Sequence, residues 1–262
     1  MSSHVTLVSP IGIGHTILIW VTLVLGWGSL ALMLVFLFNG GLELVNLGMG
    51  ETDALVLNAC LSMAFFLQHS CMIRRSLQQR MARYMDERYQ GVSYTLSSSV
   101  VLLVLVIFWQ QSGYTVASAE GVFRWLLRGV FACSLIGFFW GTRAVSPLDL
   151  FGIRRLRRRL LDLPQKPDRF RVRGPYRWVR HPLYFFCLLM IWSCPDVSVD
   201  RFMFNCLWSA WIIMATVLEE RDLVHAFGED YRRYRKEVPM LIPRTIFPIR
   251  QDFEALPGER HA

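Results

Sequence analysis

Charged residues are scarce in this chain. Only 18% of its 262 residues are Asp, Glu, Lys or Arg and 53% are hydrophobic, whereas soluble domains carry about 25% charged residues. The 6 cysteines form no CxxC pair and most fall inside apolar runs, so we expect buried thiols rather than a disulfide framework or a metal site. These shortages exclude an ordinary soluble enzyme, a disordered tail and a small secreted module.

The apolar residues are concentrated in blocks of membrane-spanning length. A span needs about 20 apolar residues, and residues 16–38 carry no charge at all. Further blocks follow at residues 53–70, 93–110, 121–142, 182–194 and 201–218. The stretch before the first block lacks Lys and Arg, which is not typical of a signal peptide. We predict an all-α polytopic membrane bundle of about six spans, whose last two form a hairpin with a short first arm.

The basic residues lie between these blocks and predict an orientation. Residues 71–92, 143–180 and 219–262 hold 25 of the 28 Lys and Arg, and cytoplasmic loops carry such an excess. Both termini are therefore predicted to be cytoplasmic, and the net charge of +8 needs no nucleic acid to explain it. The density of basic residues at 143–180 also leaves a lipid-binding scaffold open.

Aromatic residues at the block ends are consistent with this orientation. Trp109 and Trp192 fall at predicted outer ends, and Tyr94 and Trp140 at predicted inner ends. Such positions are typical of the aromatic belts of membrane proteins. We predict one domain, with residues 1–142 as a four-span scaffold, 143–243 as the hairpin with its cytoplasmic segment, and 244–262 as a tail.

A first polar cluster, RGPYRWVRHPLY, leads into the fifth block. Pro182 suits the first turn of a helix, which places His181 at the cap position. A helix start attracts anions, and Arg177 and Arg180 would reinforce it. The alternative interpretation is a basic anchor that contacts lipid head groups.

A second cluster, at the inner end of the last block, begins with Glu219 and Glu220. Two adjacent acids near the end of a membrane helix repel each other and oppose the helix dipole, so a cation should compensate them. That cation is either an arginine, such as Arg221, or a charged group of a ligand. Farther on, Tyr231 and Tyr234 share a helix face, which suits either a ligand site or aromatic packing.

The third polar cluster is the pair Gln68 and His69 at the inner end of the second block. A polar pair at membrane depth is either functional or forms a hydrogen bond between helices. A single ligand with a carboxylate, an ammonium, an aromatic base and a cationic centre would satisfy several of these clusters at once. S-adenosylmethionine has all four groups, although other zwitterions would also pass this test.

Several of these motifs together resemble a known family. RHPLY, EERDL with FG following, and YRRYRKEVPMLIP resemble the C-terminal signature of integral membrane methyltransferases, which include isoprenylcysteine carboxyl and phospholipid methyltransferases. LQHSCMIRR, SPLDLFGIRR and CPDVSV are similar to the methanethiol S-methyltransferase branch, so the likeness covers most of residues 60–243. A branch associated with nitric oxide metabolism shares some of these features. Many relatives place Gly two residues beyond the tyrosine of RHPxY, where this chain has Phe186.

The resemblance implies an S-adenosylmethionine site on the cytoplasmic side of a membrane, here the bacterial inner membrane. It assigns cofactor binding to Tyr176, Arg180, His181, Pro182, Leu183, Tyr184, Glu219, Glu220, Tyr231 and Tyr234. The implied reaction is methylation of a small apolar thiol, from methanethiol to dimethyl sulfide. His69 is our candidate to accept or orient the thiol proton, with Gln68 positioning it. The alternative is that the cationic cofactor lowers the pKa of the thiol without any base. A sulfonium donor already carries a good leaving group, so we expect no metal.

Two alternatives to this reaction remain open. The acceptor could be a larger lipidic molecule, either a prenylcysteine carboxylate or a phospholipid amine. The chain could also be a non-catalytic membrane protein that retains the fold.

Overall fold

The computed structural model describes residues 12–145, 151–161, 163, 171–245 and 247–248. Part of the SPLDLFGIRR motif, part of residues 154–172 and most of the tail 244–262 lie outside the described residues. The helices are α1 Ile13–Asn39, α2 Glu51–Ile73, α3 Arg75–Met81, α4 Gln90–Phe108, α5 Gly121–Val145, α6 Ile153–Leu160, α7 Pro182–Trp192 and α8 Val199–Glu237. Two short 3₁₀ turns span Glu87–Tyr89 and Gly174–Arg177, and the strands are β1 Thr115–Ser118 and β2 Asp196–Ser198.

Five of the described helices are long and apolar enough to cross a membrane. They are α1, α2, α4 with its preceding 3₁₀ turn, α5 and α8, whereas α7 is a shorter apolar helix of 11 residues. Large apolar side chains point away from the protein, among them Trp125 at 76% exposure and Phe123 at 74%. Lipid tails accept such faces whereas water does not. The all-α polytopic membrane fold is thus confirmed, and the protein is an integral membrane protein.

The expectation of buried thiols is wrong for most of the cysteines. All six are free, but Cys60, Cys71, Cys133 and Cys206 are exposed on the protein surface, and only Cys194 is fully buried. A membrane helix is apolar on its lipid-facing side as well as on its packed side. An apolar run therefore does not reveal which of its residues face the protein.

A two-stranded sheet, which the sequence did not predict, joins two loops. β1 pairs antiparallel with β2, so the α4–α5 connection is tied to the turn of the hairpin. Arg124 adds two hydrogen bonds to the Asp196 carboxylate at 2.6 and 2.8 Å, and the Ser118 hydroxyl donates a third at 2.7 Å. The Arg124 hydrogen bonds, with help from Ser118, hold the pKa of Asp196 below its usual value.

Trp109 is not a belt residue. Its side chain is fully buried, its Nε1 donates to Asp200 at 2.8 Å, and its ring packs edge-on against Phe36 and Phe204. A buried carboxylate needs donors, and this indole supplies one. Trp192, by contrast, is 45% exposed.

Arg201 is also fully buried. Its guanidinium donates to the carbonyls of Phe36 and Leu37 near the end of α1 and of Ile191 near the end of α7. The last carbonyls of a helix lack partners within the helix and carry its negative dipole end. Arg201 thus compensates two helix ends at once.

Two glycines on α5 allow α7 to pack closely against it. A Cβ at Gly141 would lie 2.7 Å from Leu183 Cδ2, and one at Gly137 would overlap the Phe186 ring. Small residues four apart let membrane helices approach each other. The residue that departs from the family pattern, Phe186, therefore occupies a notch made by Gly137.

The described residues fall into two compact units. The first unit comprises residues 12–33, 64–104, 151–161 and 163, and the second comprises residues 34–63, 105–145, 171–245 and 247–248. In the first unit Gly91 and Gly152 bring two backbones into contact. The sheet, the α5–α7 packing and the Trp109 and Arg201 clusters belong to the second unit. The organisation as one domain stays a prediction.

Candidate active site

The second unit contains a charged network centred on the buried Glu220. Arg180 donates from Nε to Glu220 Oε1 at 2.7 Å and from Nη2 to Oε2 at 3.0 Å. His181 Nε2 lies 2.9 Å from Oε1, the Tyr231 hydroxyl donates to the same oxygen at 2.8 Å, and Arg235 Nε lies 2.9 Å from Oε2. The cationic compensation expected for this acid is therefore provided by two arginines of the protein.

A bend at Gly228 makes this network possible. Eleven residues of straight helix separate two Cα atoms by about 16 Å, which is too far for Tyr231 to reach Glu220. Gly228, the glycine of the FG motif, has φ 57° and ψ −128° inside α8, a conformation essentially restricted to glycine. The bend turns the end of α8 back toward Glu220.

The start of α7 is fixed against the segment that follows α8. His181 occupies the cap position and Pro182 the first turn, as expected. The backbone N–H groups of Arg180 and His181 donate to the carbonyls of Pro239 at 2.9 Å and Met240 at 3.1 Å. Arg180 Nη1 also donates to the carbonyl of Val238. The RHPLY segment and the VPM segment are thus held together by both backbone and side-chain contacts.

Glu219 differs from its neighbour. Its side chain is 44% exposed, and its carboxylate approaches His181 Nδ1 at 3.7 Å. It also lies near Tyr176, where burial and, to a smaller extent, the Glu219 charge raise the pKa of the phenol. Glu219 therefore keeps an accessible negative charge next to two of the residues that the family resemblance assigns to the cofactor.

An aromatic cluster lies beside the charged network. Tyr231 and Tyr234 pack together with Val172 and Val238, and Tyr176 contacts this group. The Tyr234 hydroxyl donates to the Tyr176 carbonyl at 2.6 Å. The shared helix face predicted for the two tyrosines thus forms a packed core, with one hydroxyl directed at the charged network.

Gln68 and His69 lie in the first unit, on α2. Gln68 Nε2 lies 2.9 Å from Ser97 Oγ of α4. The His69 ring is stacked on Phe65, and both of its nitrogens lie 3.0 Å from the Tyr94 hydroxyl. The partners of this pair on α4 therefore include Ser97 and Tyr94, of which the sequence indicated only Tyr94, as an aromatic residue at a predicted inner end.

The structure brings the predicted residues of the 176–184, 219–220 and 231–234 segments together in the second unit. The Leu183 side chain packs against Gly141 of α5. Only the backbone N–H of Leu183 is therefore left to contact a ligand at the start of α7. Arg235 and Gly228 were missed, although the position of Gly228 in the FG motif was a usable signal. Among the described residues, no three His, Cys, Asp or Glu side chains are grouped as a metal site would require.

Known proteins resemble this chain along most of its length. It is 34% identical over 207 residues to methanethiol S-methyltransferase 2 of Bradyrhizobium diazoefficiens, covering 79% of this chain and 78% of the relative. It is 33% identical over 214 residues to a Pseudomonas methanethiol S-methyltransferase, covering 76% and 78%. The corresponding protein of Mycobacterium tuberculosis is 30% identical over 192 residues, covering 73% and 79%. No family model and no solved structure matches the chain.

These similarities define a membrane-embedded methyltransferase, a transferase enzyme. The chain belongs to the methanethiol S-methyltransferase family.

Proposed function

We propose that this enzyme transfers a methyl group from S-adenosylmethionine to methanethiol and releases dimethyl sulfide, on the cytoplasmic side of the bacterial inner membrane. The observation that carries the proposal is the match to relatives named for methanethiol methylation, over 79% of the chain in one case. The network around Glu220 supports it, because it joins the RHPLY and EE segments that the resemblance assigns to the cofactor.

The residues of the second unit fit the charged groups of S-adenosylmethionine. The cap residue His181 makes no side-chain hydrogen bond to the first turn of α7, and the first N–H groups of a helix lack helical partners. The N–H groups of Leu183 and Tyr184 would receive the carboxylate. The exposed carboxylate of Glu219 would receive the ammonium, and the Tyr176 and Tyr184 rings would contact the adenine.

Glu220 has a different role in this proposal. Its carboxylate already meets Arg180, His181, Tyr231 and Arg235, so we assign it to positioning the helix start rather than to the ammonium. Arg180 in turn holds the VPM segment in place.

When bound, the donor would supply a methyl group attached to a positively charged sulfur, which is a good leaving group. The protein must then provide the acceptor as a thiolate, which is the nucleophilic form. We assign His69 to take up the thiol proton. The thiolate sulfur bonds to the methyl carbon while the methyl–sulfonium bond breaks, and its electron pair stays on the departing sulfur.

The test uses the purified full-length protein in detergent with S-adenosylmethionine and separate acceptors. Methanethiol should yield dimethyl sulfide in the headspace, measured by gas chromatography, while a prenylcysteine and an aminophospholipid should stay unmethylated. His69→Ala should lower turnover by about 100-fold or more near neutral pH, as expected for loss of a general base. Near-normal turnover of this variant at every pH would remove His69 from the reaction, and methylation of a lipidic acceptor alone would overturn the choice of methanethiol.

A further inference from the structure

The orientation of the Gln68 side chain is determined by its hydrogen-bond partners on α4. Ser97 Oγ lies 2.8 Å from the Ser93 carbonyl, which can only accept, so the single hydroxyl hydrogen points there. Ser97 Oγ must then accept from Gln68 Nε2, which lies 2.9 Å away. Nε2 also lies within reach of Ser98 Oγ and Met72 Sδ. The amide nitrogen therefore faces these groups, and the amide oxygen faces elsewhere.

That oxygen is buried and has no hydrogen-bond partner among the residues that the structure describes. An unmet buried acceptor costs free energy, and native proteins rarely leave one without reason. Gln68 Oε1 thus offers a hydrogen-bond acceptor to a small donor that enters the first unit. A thiol is such a donor, and its weak S–H group suits apolar surroundings better than a hydroxyl does.

The histidine next to Gln68 belongs to the same network. Ser97 Oγ, which lies 2.9 Å from Gln68 Nε2, is also 3.1 Å from the Tyr94 carbonyl, and the Tyr94 hydroxyl lies 3.0 Å from both ring nitrogens of His69. Phe65 stacks on the His69 ring, with ring centroids 5.2 Å apart. Tyr94 and Phe65 together restrict the orientation of the imidazole.

We propose that this α2–α4 cluster is the subsite for the acceptor thiol, an inference that rests on the proposed function. The S–H group of a small apolar thiol donates to Gln68 Oε1. When the S–H bond breaks, its proton passes to His69 and the electron pair stays on sulfur. Tyr94 is a positioning residue that acts through His69.

The experiment compares Gln68→Met and Tyr94→Phe with the matched control Thr95→Val. Thr95 is the neighbour of Tyr94 on α4, and its hydroxyl bonds to the Gly91 carbonyl of its own helix. Gln68→Met should raise the KM for methanethiol about tenfold, as loss of one hydrogen bond predicts. Tyr94→Phe should lower kcat about tenfold and change the shape of its pH profile, because His69 loses its fixed orientation. Thr95→Val should match the wild type in both readouts.

The affinity for S-adenosylmethionine, measured by calorimetry, distinguishes a failure of the acceptor subsite from a failure of the proposed function. The affinity should stay within about twofold of wild type in all three variants, since the groups assigned to the donor all belong to the second unit. If the wild type methylates methanethiol but Gln68→Met and Tyr94→Phe behave like Thr95→Val, the subsite is wrong. A parallel loss of donor affinity in both variants would also overturn it, because the cluster would then act through the fold. Absence of methanethiol methylation by the wild type would instead overturn the proposed function.

Discussion

Replacing Glu220 by Gln tests whether the two adjacent glutamates have different roles. The variant keeps the size of the side chain but removes the charge that meets Arg180, whose side chain is only 9% exposed. Removing one partner of a buried ion pair costs about 3–5 kcal/mol, while Arg235 adds little because its side chain is 46% exposed. A loss of about 3 kcal/mol would lower the Tm by roughly 6–12 °C. Thermal unfolding in detergent measures it.

Glu219→Gln is the matched control, since the two residues are adjacent on α8 and the chemical change is identical. Its carboxylate is 44% exposed, so its stability should change by no more than about 0.5 kcal/mol. Its affinity for S-adenosylmethionine should fall at least about tenfold, because a charge-assisted hydrogen bond to the ammonium is worth about 1.5–3 kcal/mol. A large drop in Tm for Glu219→Gln with unchanged affinity, or a stable Glu220→Gln protein, would refute the division of roles.

Three further changes test the bend, the helix contact and the loop ion pair. Gly228→Ala should cost about 1–3 kcal/mol of stability, because the residue has φ 57°, and activity should fall with it. Gly137→Ala should cost about 1–3 kcal/mol by overpacking. Combined with Phe186→Ala, it should lower the Tm by less than the sum of the two single losses, and additive losses would contradict the notch. The pKa of Asp196 is lowered in the folded state, so its pairing with Arg124 contributes its full stabilisation above the unfolded pKa of about 3.9. This stabilisation is lost as the pH falls through the lower, folded pKa. Asp196→Asn should therefore show a weaker loss of Tm than the wild type between pH 5 and pH 3.

The need for a positive charge beside Glu219 and Glu220 was predictable from the sequence, but the residue that supplies it was not. Two acids near the end of a membrane helix require a cation wherever the chain supplies one. Arg180 lies 40 residues earlier in the chain, and only the bend at Gly228 and the backbone contacts to Pro239 and Met240 bring it there. Spacing within one helix carries no information on such a contact.

Trp109 and the cysteines show that the sequence also does not determine whether a residue in an apolar run is buried in the protein or exposed on its surface. Their apolar surroundings were evident from the sequence, yet Trp109 is buried against Asp200 whereas Cys133 is exposed. In a soluble protein, hydrophobicity separates the inner face of a helix from the outer face. In a membrane both faces are apolar, so this signal is absent.

The sequence by itself determined the membrane-spanning helices and the start of α7 at Pro182, because length, hydropathy and the backbone restrictions of proline act locally. The family was also evident there, from motifs whose residues are close together in the chain. Only the tertiary structure decided that Glu220 is neutralised by Arg180 while Glu219 stays accessible, and that Tyr94 holds His69. Those outcomes depend on which side chains meet across helices, and this is settled by packing rather than by the order of residues.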